Sequence, residues 1–338
     1  MRMTPSLALL ATLVCAAPPP ASAATSIIAA CGGAACGAGA CVSTCACGTA
    51  ACGGPAADGA LPGAARPPAA KAHASSATCS RAAGDAAIAA AVDHPRRSPE
   101  SRARDPHRHP RETLAFFDVR PCQTVVEVNP GGGWYTEILA PVLRRHGDLR
   151  IATPGAHHGV PAQAEGQQKL MALLRADPAT FGRVHRGDFQ PPRRMDFGPA
   201  NSADRILTFR NTHNWINNGV AWRVYGAALR ALKPGGLLGV VQHRAAPDAD
   251  PIVAARSGYV PEPWLIDTLQ RIGFEFVAST EVNANPRDTK DHPAGVWTLP
   301  PSYRLGNQNR AAYAEIGESD RMTLLFRKPA HAHRHGRR

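Results

Sequence analysis

Val125-Val126-Glu127-Val128-Asn129-Pro130-Gly131-Gly132-Gly133-Trp134-Tyr135-Thr136-Glu137 is the stretch that decides the fold. A β-branched apolar run carries one acid, breaks into three consecutive glycines and continues into Tyr135, Ile138 and Leu139 at helical spacing. That pattern reads as strand, tight turn and helix start. In open α/β sheets such a junction is where ligands bind, because glycine lets the backbone come close to them.

Working outward, Glu112–Phe117 reads as a short amphipathic helix and 124–128 as the first strand, with the helix after the glycines running to about Arg145. Strands follow at 149–152, 183–186 and 203–209, with a helix at 167–174. Residues 219–232 carry Trp222, Tyr225, Leu229 and Leu232 at helix spacing and end at the stop signal Lys233-Pro234-Gly235-Gly236. A strand at 237–242, a helix at 263–272 and strands at 274–279 and 322–326 complete the series. The alternation predicts an α/β fold, a doubly wound, mainly parallel seven-stranded sheet with helices on both faces.

The flanks differ in composition. Arg2, the apolar core Leu7–Ala17 and Ala21-Ser22-Ala23 read as a secretory signal (1–23) cleaved after Ala23, so the protein is expected to be periplasmic or secreted. Val14 before Cys15 argues against a lipid anchor, and no later apolar run reaches membrane-spanning length. Residues 24–91 are rich in Ala and Gly and lack the large side chains that would offset ordering entropy, so they are expected to be disordered. Cys31, Cys36, Cys41, Cys45, Cys47 and Cys52 punctuate this segment, and with Cys79 and Cys122 an exported chain holds an even number for pairing, in a pattern the spacing leaves open. The domain proper is expected over 92–329, followed by a His/Arg tail at 330–338.

The net charge of +12 suggests an anionic partner, yet 33 of the 38 basic residues are arginine, scattered except in 95–111 and the tail. No aromatic platforms interleave them, so nucleic-acid binding is not expected; contact with an anionic membrane surface and plain solvation both remain open. Within the domain the histidines lack His-x-x-x-His or His-x-His spacing, and no metal site is expected.

The order glycine loop, Gly187-Asp188, Leu232-Lys233-Pro234-Gly235-Gly236, Ile272-Gly273-Phe274 resembles class I S-adenosylmethionine-dependent methyltransferases. The segments 130–137, Arg210-Asn211-Thr212-His213-Asn214-Trp215, Asn283-Ala284-Asn285-Pro286 and 317–322 are similar to a narrower family of predicted exported methyltransferase-like proteins, over roughly residues 92 to 329. The resemblance implies S-adenosylmethionine as cofactor and methyl transfer to a small-molecule substrate. It assigns Glu127, Asn129, Gly131, Gly132 and Gly133 to the cofactor loop and Asp188 to the acid facing the adenine, with Asn211 a further cofactor contact. Two departures stand out. Asn129 replaces the usual first glycine, and Ile151-Ala152-Thr153-Pro154 ends strand two without the carboxylate that normally accepts from both ribose hydroxyls. Loss of that acceptor costs about 1.5–3 kcal/mol.

Loops at the carboxyl ends of the strands carry the remaining candidates. His213 is the expected general base, since imidazole titrates near neutrality. Asn214, Trp215, His243, Asn283 and Asn285 are expected around the substrate. The cofactor is made in the cytoplasm and carries a permanent charge, so export favours a second reading: a non-catalytic ligand-binding protein that keeps the fold.

Overall fold

The computed structural model describes residues 77–154 and 161–330. The readings made of residues 1–76 (signal segment, clustered cysteines) and of the tail at 331–338 lie outside the described residues.

The chain runs through α1 (Arg81–Val92), α2 (Pro99–Arg102), α3 (Asp105–Arg108) and α4 (Pro110–Phe116) into β1 (Thr124–Val128). Next come α5 (Thr136–Leu143), β2 (Asp148–Thr153), α6 (Pro161–Ala176), α7 (Pro178–Phe181), β3 (His185–Gln190), β4 (Arg194–Met195) and β5 (Ala203–Phe209). The second half holds α8 (Thr212–Asn217), α9 (Ala221–Ala231), β6 (Leu232–His243), α10 (Pro251–Arg256), α11 (Glu262–Ile272), β7 (Glu275–Thr280), α12 (Arg310–Ile316) and β8 (Arg321–Arg327).

The strands form one sheet in the order β4-β3-β2-β1-β5-β6-β8-β7. β3, β2, β1, β5 and β6 are mutually parallel, and β8 runs antiparallel between β6 and β7. This is the doubly wound, Rossmann-like methyltransferase fold. The sheet has eight strands where seven were expected. The extra one, β4, is a two-residue edge strand paired to β3, too short to show a period in the sequence.

β1 is buried on both faces, as a central parallel strand must be. Val126 and Val128 pack into the core beneath α8, α9 and α11, whereas Val125 joins the opposite core with Ile138, Leu139 and Ile151. The strand order reverses at β1: β2 and β3 lie to one side, β5 and β6 to the other. The crevice at that switch point is where ligands bind in open sheets.

Three boundaries differ from expectation. Order begins well before residue 92, because residues 81–92, placed in the disordered segment, form α1. Ser80 caps it by accepting from Ala83 N–H, and Ile88, Ala91 and Val92 are buried. Gly84 lets the helix press onto the chain: a Cβ there would stand 2.6 Å from the Val119 carbonyl. Cys79, just ahead of α1, is disulfide-bonded to Cys122, just ahead of β1, with Cα atoms 5.4 Å apart. An alanine-rich helix with Ile88 and Val92 its larger aliphatic residues looks like low complexity until its partner surface is present.

Strand three runs to Gln190, past the expected 186, because Phe189 enters the core and Gly187 admits Asp196 beside it. Residues 233–236 end the helix as expected but belong to β6. Gly235 N–H donates to the Lys328 carbonyl and Lys328 N–H to the Gly236 carbonyl, so the turn is drawn into the ladder. A register shift between Ala203 and Arg205 absorbs the extra length.

Candidate functional site

The loops after β1 and β5 are tied across the switch point. Asn129 Nδ2 donates to Asn211 Oδ1 at 3.0 Å, and Asn211 Nδ2 donates to the Val128 carbonyl at 2.9 Å. Asn129 has φ +50°, a left-handed conformation that asparagine tolerates better than most residues, and its N–H donates to the Ala152 carbonyl. The departure from glycine is thereby explained. Asn211, expected as a cofactor contact, spends both ends of its amide on the protein: it holds the loop pair together.

Beyond Asn129 the chain turns through Pro130 and the three glycines. Gly131 (φ +59°) and Gly133 (φ +88°) both need the left-handed region. A Cβ on Gly131 would meet nothing within 4 Å, whereas one on Gly133 would stand 2.8 Å from Leu173 Cδ2. Gly131 therefore faces open space, and Gly133 lets the turn sit against α6. The space is a cavity of about 660 Å³ bordered by Asn129, the three glycines, Asn211, His213, Asn214 and His243. Trp134, Tyr135, Phe209 and Trp297 supply its aromatic walls, Tyr135 stacking on Phe209 at 3.6 Å between centroids.

Glu127 lies at the root of the turn, 1% exposed, accepting from Thr136 Oγ1 at 2.6 Å. Burial pushes its carboxyl up to about 7 against the opposing pull of that hydroxyl.

His213 and His243 are both buried, with ring centroids 5.8 Å apart. Burial lowers His213 to about 4, so its ring is neutral near pH 7. Its tautomer follows from Gln242, whose Oε1 accepts from Thr212 N–H at 3.1 Å and whose Nε2 donates to the Gly258 carbonyl at 3.0 Å. With the amide fixed that way round, the Nε2 that meets His213 Nδ1 at 3.2 Å is a donor and Nδ1 accepts. The proton of His213 therefore sits on Nε2. His213 offers an N–H, not a lone pair, which corrects its expected role as general base.

His243 follows the same logic. Its Nδ1 meets Ser319 Oγ; the buried Ser319 hydroxyl has no other side-chain partner among the described residues, and donating to this nitrogen is what spares its proton from being buried unpaired. Nδ1 thus accepts and Nε2 carries the proton. Burial first, then His213 and Arg210, hold this imidazole well below its usual range.

Three arginines also border the cavity: Arg104 and Arg108, from the basic run at 95–111, and Arg210, at the head of the 210–215 segment. Glu318 pairs with Arg104 (2.7 Å), Arg108 (3.2 Å) and Arg321 (3.0 Å). Burial works to raise the Glu318 carboxyl, but the surrounding guanidiniums hold it well below the usual range. Arg108 also lies over the Trp134 ring, 4.7 Å from its centroid. Arg210 holds φ +64° at the end of β5. Burial and then Arg104 lower its guanidinium to about 10. No periodicity marks these arginines; the fold brings Arg104 and Arg108 of the α3 turn to Arg210 at the end of β5.

The remaining expected residues are elsewhere. Asp188 lies on β3 outside this cavity, paired with Arg194 at 2.8 Å. Trp215 is core, edge-on to Phe189 and Tyr225, because α8 turns it under the sheet. Asn283 donates to Thr113 Oγ1 and Thr323 Oγ1, and Asn285 to the Ile316 and Glu318 carbonyls. Both brace the segment before β8 and neither lines the cavity. At the end of β2, where the ribose acid is missing, Thr153 donates to Gln167 Oε1. Among the described residues no group of three or more His, Cys, Asp or Glu side chains is placed to hold a metal ion.

No family model and no curated protein matches the chain significantly. In fold it is similar to a SAM-dependent methyltransferase from Aquifex aeolicus, at 15% identity and TM-score 0.43 over 59% of this chain and 93% of that one. It is similar also to a SAM-dependent methyltransferase from Methanosarcina mazei, at 12% identity and TM-score 0.42 over 63% and 95% of the two chains. A third is the Haemonchus contortus phosphoethanolamine N-methyltransferase 2 in complex with S-adenosyl-L-methionine (14% identity, TM-score 0.42, 64% of this chain and 51% of that one). These likenesses concern the fold alone.

Proposed function

We propose that this chain is an enzyme that transfers a methyl group from S-adenosylmethionine to a small-molecule acceptor in the cavity at the switch point. One observation carries the reading: the turn at Gly131 is open, with room for a ligand where a side chain would otherwise stand. The cofactor, when bound, supplies a methyl group on a sulfonium. Asn129, Gly131, Gly132 and Gly133 would border it, with Glu127 as the carboxyl at the base of the loop. The Asn129–Asn211 pair keeps the two loops in register, so the cavity is formed before any ligand arrives. Trp134, Phe209 and Trp297 give its walls apolar faces.

Isothermal titration of the full chain with S-adenosylmethionine and S-adenosylhomocysteine tests the reading. Micromolar binding is expected, and Gly131→Val should abolish it while the protein stays folded. No binding of either compound at millimolar concentration would favour the non-catalytic ligand-binding protein. Unchanged affinity in Gly131→Val would refute the loop assignment.

We further propose that the chain is exported to the periplasm or medium. The Cys79–Cys122 disulfide supports an oxidising compartment. No helix among the described residues is long and apolar enough to cross a membrane. Sequencing the N-terminus of protein recovered from each cell fraction tests this, and a chain starting at Ala24 outside the cytoplasm is the expected result.

A further inference from the structure

Three groups meet at the end of the cavity beneath the loops after β5 and β6, and each of them donates. His213 and His243 line it as neutral rings whose Nδ1 atoms are used within the protein, leaving both Nε2–H groups for a ligand. Arg210 lines it as well, and its guanidinium lies close enough to influence both imidazoles. Arg108, which also lines the cavity, is 2% exposed, and its Nη2 is sealed from solvent with no hydrogen-bond partner among the described residues.

The charges do not balance. Arg104, Arg108 and Arg321 all share Glu318, and Arg210, which feels the same carboxylate, has no carboxylate paired to it among the described residues. The other carboxylates bordering the cavity are Glu137, which meets Arg97 and the Ser98 N–H, Glu127, which accepts from Thr136, and Glu100, which lies exposed in the first turn of α2 beside Ser98. A partly buried cation among cations is costly unless something neutralises it. S-adenosylmethionine brings no net negative charge to the group: its carboxylate is offset by its own ammonium, and its sulfonium leaves it a net cation.

We infer that the methyl acceptor is an anion, a carboxylate- or phosphate-bearing small molecule whose charged group is received by Arg210 together with the Nε2–H groups of His213 and His243. The inference rests on the methyl-transfer reading for the word acceptor, but the anion subsite itself stands on the donors and charges alone. Such a floor supplies hydrogen bonds and positive charge and takes no proton. The reacting atom of the acceptor must then arrive already deprotonated or with a free lone pair.

The test titrates the full chain with inorganic phosphate, with benzoate and, separately, with S-adenosylhomocysteine, in wild type, Arg210→Gln, Arg210→Lys and the surface control Arg271→Gln. At least one anion should bind wild type and Arg271→Gln equally, lose tenfold or more in affinity in Arg210→Gln, and recover most of it in Arg210→Lys. Whichever anion binds identifies the group. Affinity for S-adenosylhomocysteine should stay within twofold throughout, with thermal melts showing that each variant folds. Anion affinity unchanged in Arg210→Gln, or no binding of either anion, overturns the proposal. A tenfold loss confined to S-adenosylhomocysteine overturns it too, because the cation would then serve the cofactor's carboxylate. Anion binding that depends on Arg210 in a protein that ignores S-adenosylhomocysteine upholds the subsite and sinks only the methyl-transfer reading.

Discussion

Gln242 fixes the tautomer of His213: its amide nitrogen meets Nδ1 of the imidazole at 3.2 Å, and its oxygen is already taken by the Thr212 N–H. The same residue donates to the Gly258 carbonyl, so the amide cannot flip without losing two good bonds. Nitrogen-15 NMR, with His213→Phe to assign the signals, should show a neutral Nε2–H ring from pH 5.5 to 8. An Nδ1–H ring, or titration near pH 6.5, would contradict the arrangement.

Glu127 and His213 give opposite pH dependences. The Glu127 carboxyl is raised from 4.5 to about 7, so in that interval the folded state holds the extra proton and stability falls as pH rises. His213 is lowered from 6.5 to about 4, so there the unfolded state holds the extra proton and stability falls as pH falls. Glu127→Gln should therefore stabilise the protein by up to about 3 kcal/mol at pH 8 and expose the acid lability of the histidine. Urea denaturation at pH 5, 6.5 and 8 measures both. A variant no more stable than wild type at pH 8 would count against an uncompensated carboxylate.

Glu318 is the shared anion of Arg104, Arg108 and Arg321. Glu318→Gln should cost about 3–5 kcal/mol, the penalty for breaking a buried pair on one side. Adding Arg108→Met should recover part of the loss, since it removes one orphaned cation. Equal stability of wild type and Glu318→Gln in guanidinium melts would show that the cluster is solvent-screened.

The Cys79–Cys122 bond closes a loop between residues 43 apart and staples α1 beside β1. Reduction, or Cys79→Ser with Cys122→Ser, should lower stability by about 2–4 kcal/mol while the sheet remains folded. Loss of all cooperative unfolding would mean that α1 is required for the domain to form.

The frame of the fold was legible because parallel central strands are apolar on both faces and helices carry a 3.6-residue period. Val125–Val128, the glycine turn and Ala203–Phe209 each announce themselves in a few residues. α1 did not, because a helix mostly of alanine, with Ile88 and Val92 its larger aliphatic residues, shows its buried face only against Val119 and Arg120. β4 did not, being two residues long.

Among site residues, Asn129, Gly131 to Gly133, His213, Asn214 and His243 could be placed at the crevice from their positions just after strands. Trp215, Asn283 and Asn285 had the same claim, and the chain turns them into the core or into braces. Arg210 had the same position just after a strand but no expected role, and Arg104 and Arg108 lay in a basic run whose expected contacts were solvent or a membrane surface.

By itself, then, the sequence determined that the backbone reverses at three glycines between a β-branched strand and an amphipathic helix, for local dihedral preference and apolar periodicity are written residue by residue. Only the tertiary structure decided which nitrogen of His213 keeps its proton, that Glu318 serves three arginines, and that Arg210 is paired to no carboxylate among the described residues. Those are properties of groups far apart in the chain whose charges and hydrogen bonds acquire meaning only once burial has removed the water between them.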